Sequence, residues 1–226
     1  NALIGRKSNH HLKWWLLTSL EVQSITKEIC QEKVLNKVNF CASGGKIYGI
    51  VGKNGSGKSM LFRAISGLVK VDNGSIVWNG EDCTRNLAQK IRMGIIVENV
   101  NLYADLNAME NLRYLAKINN YIGEKEIIET LDKIGLDSNN KKKMKTFSLG
   151  MRQKLVIAQA IMEKPDLLLL DEPTNALDEE TVRRFREILK EEKKRGAIIL
   201  IASHNREDIE ELCDEVYVMN DGVLSR

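Results

Sequence analysis

The sequence predicts an α/β fold with a parallel sheet as its core, an antiparallel β subdomain and an inserted helical subdomain. Short apolar runs, typical of strands buried on both faces of a sheet, alternate along the chain with segments of helical spacing. Residues 20–78 alternate polar and apolar side chains, as expected of an antiparallel sheet with one solvated face. From about residue 106 to 163 the spacing is helical and no strand pattern occurs. These observations favour strand–helix units divided by a helical insertion.

The individual elements are predicted from the same patterns, taken in chain order. The strand candidates are residues 20–25, 47–51, 75–78, 95–97, 167–170, 198–202 and 216–219. A helix is predicted over residues 179–195, because Gly196 follows it and glycine often terminates helices. This helix joins two apolar strands, an arrangement typical of parallel pairing. Helices in the insertion are indicated by Leu112, Leu115, Ile118, Ile127, Ile128, Leu131 and Ile134.

A glycine-rich motif follows the strand at residues 47–51 and fits G-x-x-x-x-G-K-[ST]. Its residues are Gly52, Lys53, Asn54, Gly55, Ser56, Gly57, Lys58 and Ser59. A helix is predicted directly after it from the spacing of Met60, Leu61, Ala64, Ile65 and Leu68. Backbone N–H groups of such a turn surround phosphate oxygens, and the helix N-terminus adds partial positive charge.

This motif, called the phosphate loop (residues 52–59) below, predicts a P-loop NTPase core. Lys58 is expected to reach the β- and γ-phosphates of a nucleotide, and the Ser59 hydroxyl to bind Mg²⁺. Met60 directly follows and belongs to the predicted nucleotide-binding segment. The structural alternative is a glycine-rich turn capped by a serine.

Two carboxylates follow the apolar strand at residues 167–170. Parallel strands deliver their terminal residues to the carboxyl edge of the sheet, where the phosphate loop also opens. Asp171 is expected to hold Mg²⁺ through water, and Glu172 to polarise the water that attacks the γ-phosphate. His204 follows another buried strand at the same edge and is expected to contact the γ-phosphate. The alternative for the carboxylates is an acidic turn at a helix N-terminus before Thr174, and the alternative for His204 is a surface or core histidine with satisfied hydrogen bonds.

Composition excludes several classes of function. The net charge is +3 with 29% charged residues, so no strongly basic face for nucleic acid is expected. The lysines at 141, 142, 143 and 145 are expected on a solvated loop. The cysteines, Cys30, Cys41, Cys83 and Cys213, lack metal-ligand spacing, which argues against zinc and against a disulfide framework and fits a reducing cytosol.

No apolar run reaches the roughly 18 residues of a membrane span, so a membrane role requires a partner. Residues 20–226 are expected to form one domain. Residues 1–19 are expected to be an N-terminal extension, native or left over from cloning. The alternative is that Trp14 or Trp15 packs on the domain or contacts a partner.

Further motifs, in the same order along the chain, resemble those of the nucleotide-binding subunit of an ATP-binding-cassette (ABC) transporter over residues 20–225. Phe147-Ser148-Leu149-Gly150-Met151-Arg152-Gln153 occupies the family's signature position, Asn175-Ala176-Leu177-Asp178 matches its D-loop, and Ser203-His204 matches its H-loop. The resemblance implies that two such domains pair head to tail. Ser148 and Gly150 would then bind the ATP held by the other domain's phosphate loop.

The sequence departs from the family pattern at several positions. Leu149 replaces a signature glycine, Met151 its glutamine, and Met60 a threonine after the Mg²⁺-binding serine. Glu98 stands where the family has a glutamine, and a carboxylate there is expected to ligate Mg²⁺. Ile29 aligns with an aromatic residue that stacks on adenine, so base discrimination is expected to be weak. Glu98 with the altered signature resembles the exporter branch that moves bacitracin and lantibiotics.

The resemblance implies a subunit that binds and hydrolyses ATP to energise a separate membrane permease, with ATP and Mg²⁺ as cofactors. The cargo expected of this branch is a peptide antibiotic or similar molecule. The expected partners are the membrane-spanning permease subunit, contacted through residues 99–105, and a second ATP-binding domain in a homodimer or heterodimer. The expected location is cytoplasmic, peripheral on the inner face of the cell membrane. The alternatives are a soluble ABC-type ATPase and a cassette that binds ATP as a switch without hydrolysis.

Overall fold

A computed structural model describes residues 18–97 and 102–226. Expectations that involve Trp14, Trp15, Glu98 and residues 99–101 of the predicted permease contact lie outside the described residues. The strands are β1 (Ser19–Ile29), β2 (Glu32–Ser43), β3 (Lys46–Val51), β4 (Asn73–Trp78), β5 (Glu81–Asp82), β6 (Met93–Ile96), β7 (Leu167–Asp171), β8 (Ile198–Ala202), β9 (Glu215–Asn220) and β10 (Val223–Ser225). The helices are α1 (Lys58–Ile65), α2 (Leu87–Lys90), α3 (Ala108–Asn119), α4 (Glu124–Ile134), α5 (Leu149–Ile161), α6 (Glu179–Arg195) and α7 (Arg206–Leu212).

The described strands form two sheets, as the sequence predicts. One has the order β2-β1-β4-β5 and is antiparallel, and the other has the order β10-β9-β3-β8-β7-β6. In the second sheet β9, β3, β8, β7 and β6 pair in parallel, and β10 joins β9 as an antiparallel edge. The mixed α/β architecture is therefore confirmed.

The parallel sheet separates two hydrophobic clusters, because successive side chains of a strand point to opposite faces. Leu168 and Leu170 of β7 belong to the cluster formed with the helical insertion and α6. Leu167 and Leu169 belong to the cluster formed with α1 and the antiparallel sheet. All four are fully buried, which explains why β7 is a continuous apolar run rather than an alternating one.

Helix α6 matches its predicted bounds. Its N-cap is Asp178, whose carboxylate accepts a hydrogen bond from the Thr181 N–H at 2.8 Å. Gly196 ends it in the left-handed conformation, with φ 104°. Within the described residues of the predicted insertion, α3, α4, α5 and a short 3₁₀ turn (Met144–Thr146) are the regular elements.

Several features differ from the sequence expectations. The helix after the phosphate loop ends at Ile65, so the assignment of Leu68 to it is wrong: Gly67, with φ 76°, turns the chain, and Leu68 is 65% exposed. The strand candidates do not include β2, β5 and β10. The alternating pattern of β2 is broken at Lys37, which has φ 51°, beside irregular pairing with β1.

Candidate functional site

The phosphate loop connects β3 to α1 and packs closely against other backbone. Gly57, the N-cap of α1, has φ 110°, and a Cβ there would lie 2.7 Å from the Val34 carbonyl oxygen. A Cβ on Gly52 would lie 2.2 Å from the Met219 carbonyl oxygen. Both distances are shorter than real Cβ atoms allow, so the loop packs against β2 and β9 with no room for a side chain at Gly52 or Gly57.

Lys58 is buried at the start of α1 and points back over the loop. Its Nζ donates hydrogen bonds to the carbonyl oxygens of Gly52 at 2.7 Å and Lys53 at 3.0 Å. Neither partner carries a charge, so an anion bound in the loop would meet an ammonium whose charge these two contacts do not neutralise.

Two buried oxygen atoms at the site have no hydrogen-bond partner among the described residues: Ser56 Oγ in the loop and Glu172 Oε1 opposite it. Leaving such an atom unpaired costs roughly 1–3 kcal/mol, and more for a charged group. A ligand with donor and acceptor groups at this place would therefore relieve a cost that the free protein carries.

Ser59 and Asp171 bring together two oxygen donors. The Ser59 hydroxyl donates a short hydrogen bond to Asp171 Oδ2, linking α1 to the end of β7. Hydroxyl and carboxylate oxygens are ligands that Mg²⁺ accepts. No group of three or more His, Cys, Asp or Glu side chains among the described residues could hold a metal. The pair fits a magnesium ion whose remaining ligands would come from phosphate oxygens and water. Glu98, the third predicted ligand, lies outside the described residues.

Glu172 follows β7 in an unusual backbone conformation. Its φ is 48°, a left-handed value that non-glycine residues rarely adopt, and its N–H donates to the Ala202 carbonyl oxygen at 2.8 Å. Its Oε2 accepts a hydrogen bond from the His204 N–H at 3.3 Å. Partial burial raises the pKa of the Glu172 carboxyl above its ordinary value, although the His204 N–H opposes the shift. A carboxylate with a raised pKa is a stronger base than an exposed one.

His204 spans the gap between the two sides of the site. Its Nε2 lies 2.7 Å from Asn54 Oδ1 in the phosphate loop and 3.4 Å from Glu172 Oε1. With the proton on Nε2, the ring donates to Asn54. The histidine is half exposed, so a ligand entering the cleft can reach it.

The phosphate loop, the two carboxylates and His204 surround one cleft of about 450 Å³. The predicted residues that line it are Asn54, Gly55, Gly57, Lys58, Ser59, Met60, Asp171, Glu172 and His204. Sequence reasoning missed Val34 and Arg63, which also line it. Arg63 lies one helical turn after Ser59 on α1, and that spacing could have identified it. No local sequence pattern predicts Val34 as a cleft residue, because only the pairing of β2 in the sheet brings it to the cleft.

Outside the phosphate loop, three predicted binding residues lie apart from this cleft. Ile29 ends β1, is 42% exposed and is not among the cleft residues. Ser148 caps α5, accepting a hydrogen bond from the Met151 N–H at 3.2 Å, and Gly150 lies in its first turn. The structure does not bring Ser148 or Gly150 to the cleft of their own chain.

Gly150 packs instead against the loop that follows β7. A Cβ there would lie 3.0 Å from the Ala176 carbonyl oxygen, which leaves little room for a side chain. Beside it, Leu149 is 69% exposed despite its large apolar side chain.

Comparison with known proteins identifies relatives over most of the chain. A family model described as ABC transporter matches residues 35–175. The chain is 46% identical over 205 residues to the uncharacterized ABC transporter ATP-binding protein YybJ of Bacillus subtilis, covering 91% of this chain and 94% of that protein. It is 37% identical over 205 residues to the lantibiotic transport ATP-binding protein SrtF of Streptococcus pyogenes (91% and 88%). It is 38% identical over 209 residues to the bacitracin transport ATP-binding protein BcrA of Bacillus licheniformis (92% and 68%).

Solved structures share the fold. An ATP-binding subunit of an ABC transporter superposes with a TM-score of 0.80 at 28% identity, covering 92% of this chain and 88% of that one. The dimeric cassette MJ0796 superposes with a TM-score of 0.81 at 24% identity, covering 92% and 97%.

Proposed function

The chain belongs to the ABC transporter family, as an ATP-binding subunit, and from that premise we propose that it hydrolyses ATP to energise a separate membrane permease. The observation that carries the proposal is that Lys58 and Glu172 line the same cleft, and that Glu172 Oε1 is buried with no hydrogen-bond partner among the described residues. A cation for phosphate and a buried acceptor for the proton of water are what hydrolysis of a phosphoanhydride requires.

Each residue has a role that follows from its contacts. Lys58 and the N–H groups of the phosphate loop bind the β- and γ-phosphates. Glu172 accepts a proton from the attacking water, and its raised pKa supports this step. His204 bridges the γ-phosphate region and Glu172. Ser59 and Asp171 would hold Mg²⁺, which neutralises charge on the phosphates when bound.

The proposed partners follow from the family and from the position of the signature segment. None of the helices in residues 18–97 and 102–226 has the length and apolar character of a bilayer span. We place the chain on the inner face of the membrane, bound to a permease. Ser148 and Gly150, which lie outside their own cleft, support a head-to-tail pair with a second ATP-binding domain, the same chain or a related one.

The relatives support a cargo class for the transporter. SrtF and BcrA are transport ATP-binding proteins for lantibiotic and bacitracin. We therefore propose export of a peptide antibiotic or similar molecule.

An ATPase assay of the purified chain, with and without its copurified membrane subunits, tests the proposal. We expect Mg²⁺-dependent phosphate release that increases when the permease is present. ATP binding without turnover in either preparation would favour a switch, and turnover with no membrane subunit recovered from cells would favour a soluble ATPase.

A further inference from the structure

Asp208 is a buried carboxylate on α7 with three hydrogen bonds. It is 1% exposed, and its Oδ1 accepts hydrogen bonds from Arg186 Nε at 3.0 Å and Nη2 at 2.7 Å. Its Oδ2 accepts a hydrogen bond from the Thr174 hydroxyl at 2.7 Å. A charge this deeply buried is tolerated only when it is paired and hydrogen-bonded, so the three side chains form a unit.

The unit connects the segments that carry Glu172 and His204. Thr174 is two residues after Glu172, and Asp208 is four residues after His204. Arg186 lies on α6, after the D-loop. None of the three lines the cleft. Asp208 therefore links the chain segments that follow Glu172 and His204, from outside the cleft.

The backbone at Glu172 needs such support. Its left-handed φ of 48° costs of order 1–3 kcal/mol, and a strained residue persists only where its surroundings enforce the conformation. The turn after it is held on one side by Gln153 Nε2, which donates to the Pro173 carbonyl oxygen at 2.7 Å. On the other side it is held by the hydrogen bond from Thr174 to Asp208.

We propose that Asp208, acting through Thr174, is a positioning residue that holds the Glu172 carboxylate at hydrogen-bonding distance from His204. The inference rests on the proposed function, because it needs Glu172 to accept the proton of water. Loss of the contact leaves the phosphate loop intact and moves the base. A misplacement of about 1 Å can lower turnover about 100-fold.

The decisive variant is Thr174→Val, which removes the hydroxyl and keeps the shape. Its matched control is Thr130→Val on α4. Both threonines are 8% exposed, and each donates one hydrogen bond of 2.7 Å, Thr130 to the Glu126 carbonyl oxygen. Thr174→Val should lose more thermal stability than Thr130→Val, because its hydroxyl bonds a buried carboxylate rather than a backbone carbonyl, so the two variants are compared in kcat per folded protein. Thr174→Val should lower kcat about 10- to 100-fold with the Kd for ATP unchanged, Thr130→Val should leave kcat unchanged, and Thr174→Ser should restore it.

Two further variants test whether kcat depends on the Asp208 carboxylate itself or on the other partners of Arg186. Asp208→Asn keeps the shape of the side chain, and the folded variant should show the same loss of kcat as Thr174→Val. If Asp208→Asn does not fold, Thr174→Val alone decides the test. Glu211→Gln removes the exposed partner of Arg186 Nη1 and leaves Thr174 untouched, so it should behave as wild type.

Glu172→Gln serves as the benchmark in the same assay. If it turns over normally, the proposed function fails and the inference with it. If it is inactive while Thr174→Val matches Thr130→Val in kcat, the positioning role alone is wrong. Loss of ATP binding in Thr174→Val would also overturn it, because the role would then be structural.

Discussion

The two sides of the cleft reach their shapes by different means. On the phosphate-loop side, left-handed backbone falls on glycines, with φ 78° at Gly55 and 110° at Gly57. On the carboxylate side it falls on Glu172, with φ 48°. Glycine adopts such a conformation without steric cost, whereas glutamate must be held in it by its neighbours. The first side is therefore specified by local sequence and the second by tertiary contacts.

The difference separates two functions. The phosphate loop is contiguous in sequence, and we propose that it supplies the charge and N–H groups for binding. Glu172 and His204 follow β7 and β8, and we propose that they supply the groups for turnover. Substitutions on the first side should change affinity, and those on the second should change rate.

The largest effect is expected from Lys58→Ala. Removing the buried ammonium should weaken ATP binding at least about 100-fold, or about 2.8 kcal/mol, because Lys58 is the lysine of the loop that lines the cleft. Isothermal titration calorimetry measures it. Lys117→Ala, an exposed lysine on α3, is the control and should bind ATP normally. Wild-type affinity in Lys58→Ala would mean that the loop is only a turn.

Gly57→Ala tests the tight packing behind the phosphate loop. The variant combines a left-handed φ with a Cβ 2.7 Å from the Val34 carbonyl oxygen. Gly67→Ala is the control, because φ there is 76° and nothing lies within 4 Å of the added Cβ. Gly67→Ala should cost about 1–2 kcal/mol in the free energy of unfolding, and Gly57→Ala should cost more and also weaken ATP binding. Equal costs in urea denaturation would contradict the close packing.

The same difference between the two sides of the cleft explains which parts of the site the sequence predicts. The phosphate loop, the carboxylates after β7 and the predicted bounds of α6 depend on local patterns, and the fold they predict is confirmed. Val34 and the contact of Thr174 with Asp208 depend on how distant segments meet, which one sequence does not encode locally. Leu68 was misplaced because helical spacing continued past the turn at Gly67.

The pH dependence tests the carboxylate side. The pKa of Glu172 is raised, mainly by burial, and the carboxylate must be ionised to accept a proton. We expect kcat to fall as the pH drops through a value above the ordinary pKa of glutamate. A pH–rate profile measures this, and an acid limb at or below the ordinary value would contradict it.

The same raised pKa has a consequence for stability. The protonated carboxyl is favoured in the folded state, so the stabilisation is present below the unfolded-state pKa and is lost as the pH rises through the folded-state pKa. The neutral Glu172→Gln variant should therefore gain thermal stability relative to wild type as the pH increases. A difference independent of pH would contradict the shift.

The smallest effect concerns the base of the nucleotide. Ile29 offers no aromatic face, and stacking worth roughly 1–3 kcal/mol per base is lost. ATP and GTP should bind within about tenfold of each other, a gap of about 1.4 kcal/mol, and Ile29→Tyr should tighten ATP binding. Titrations of both nucleotides, on the full chain and on one lacking residues 1–19, measure this. A strong ATP preference that truncation removes would assign base recognition to Trp14 or Trp15 instead.

The central claim is that one side of the cleft binds ATP and the other hydrolyses it. It is tested most directly by measuring ATP affinity and turnover of Glu172→Gln beside wild type, with size-exclusion chromatography in ATP. For Glu172→Gln we expect a Kd for ATP within about twofold of wild type, a kcat lower by about 100-fold or more, and a dimer that forms in ATP. Unchanged turnover in Glu172→Gln would contradict it.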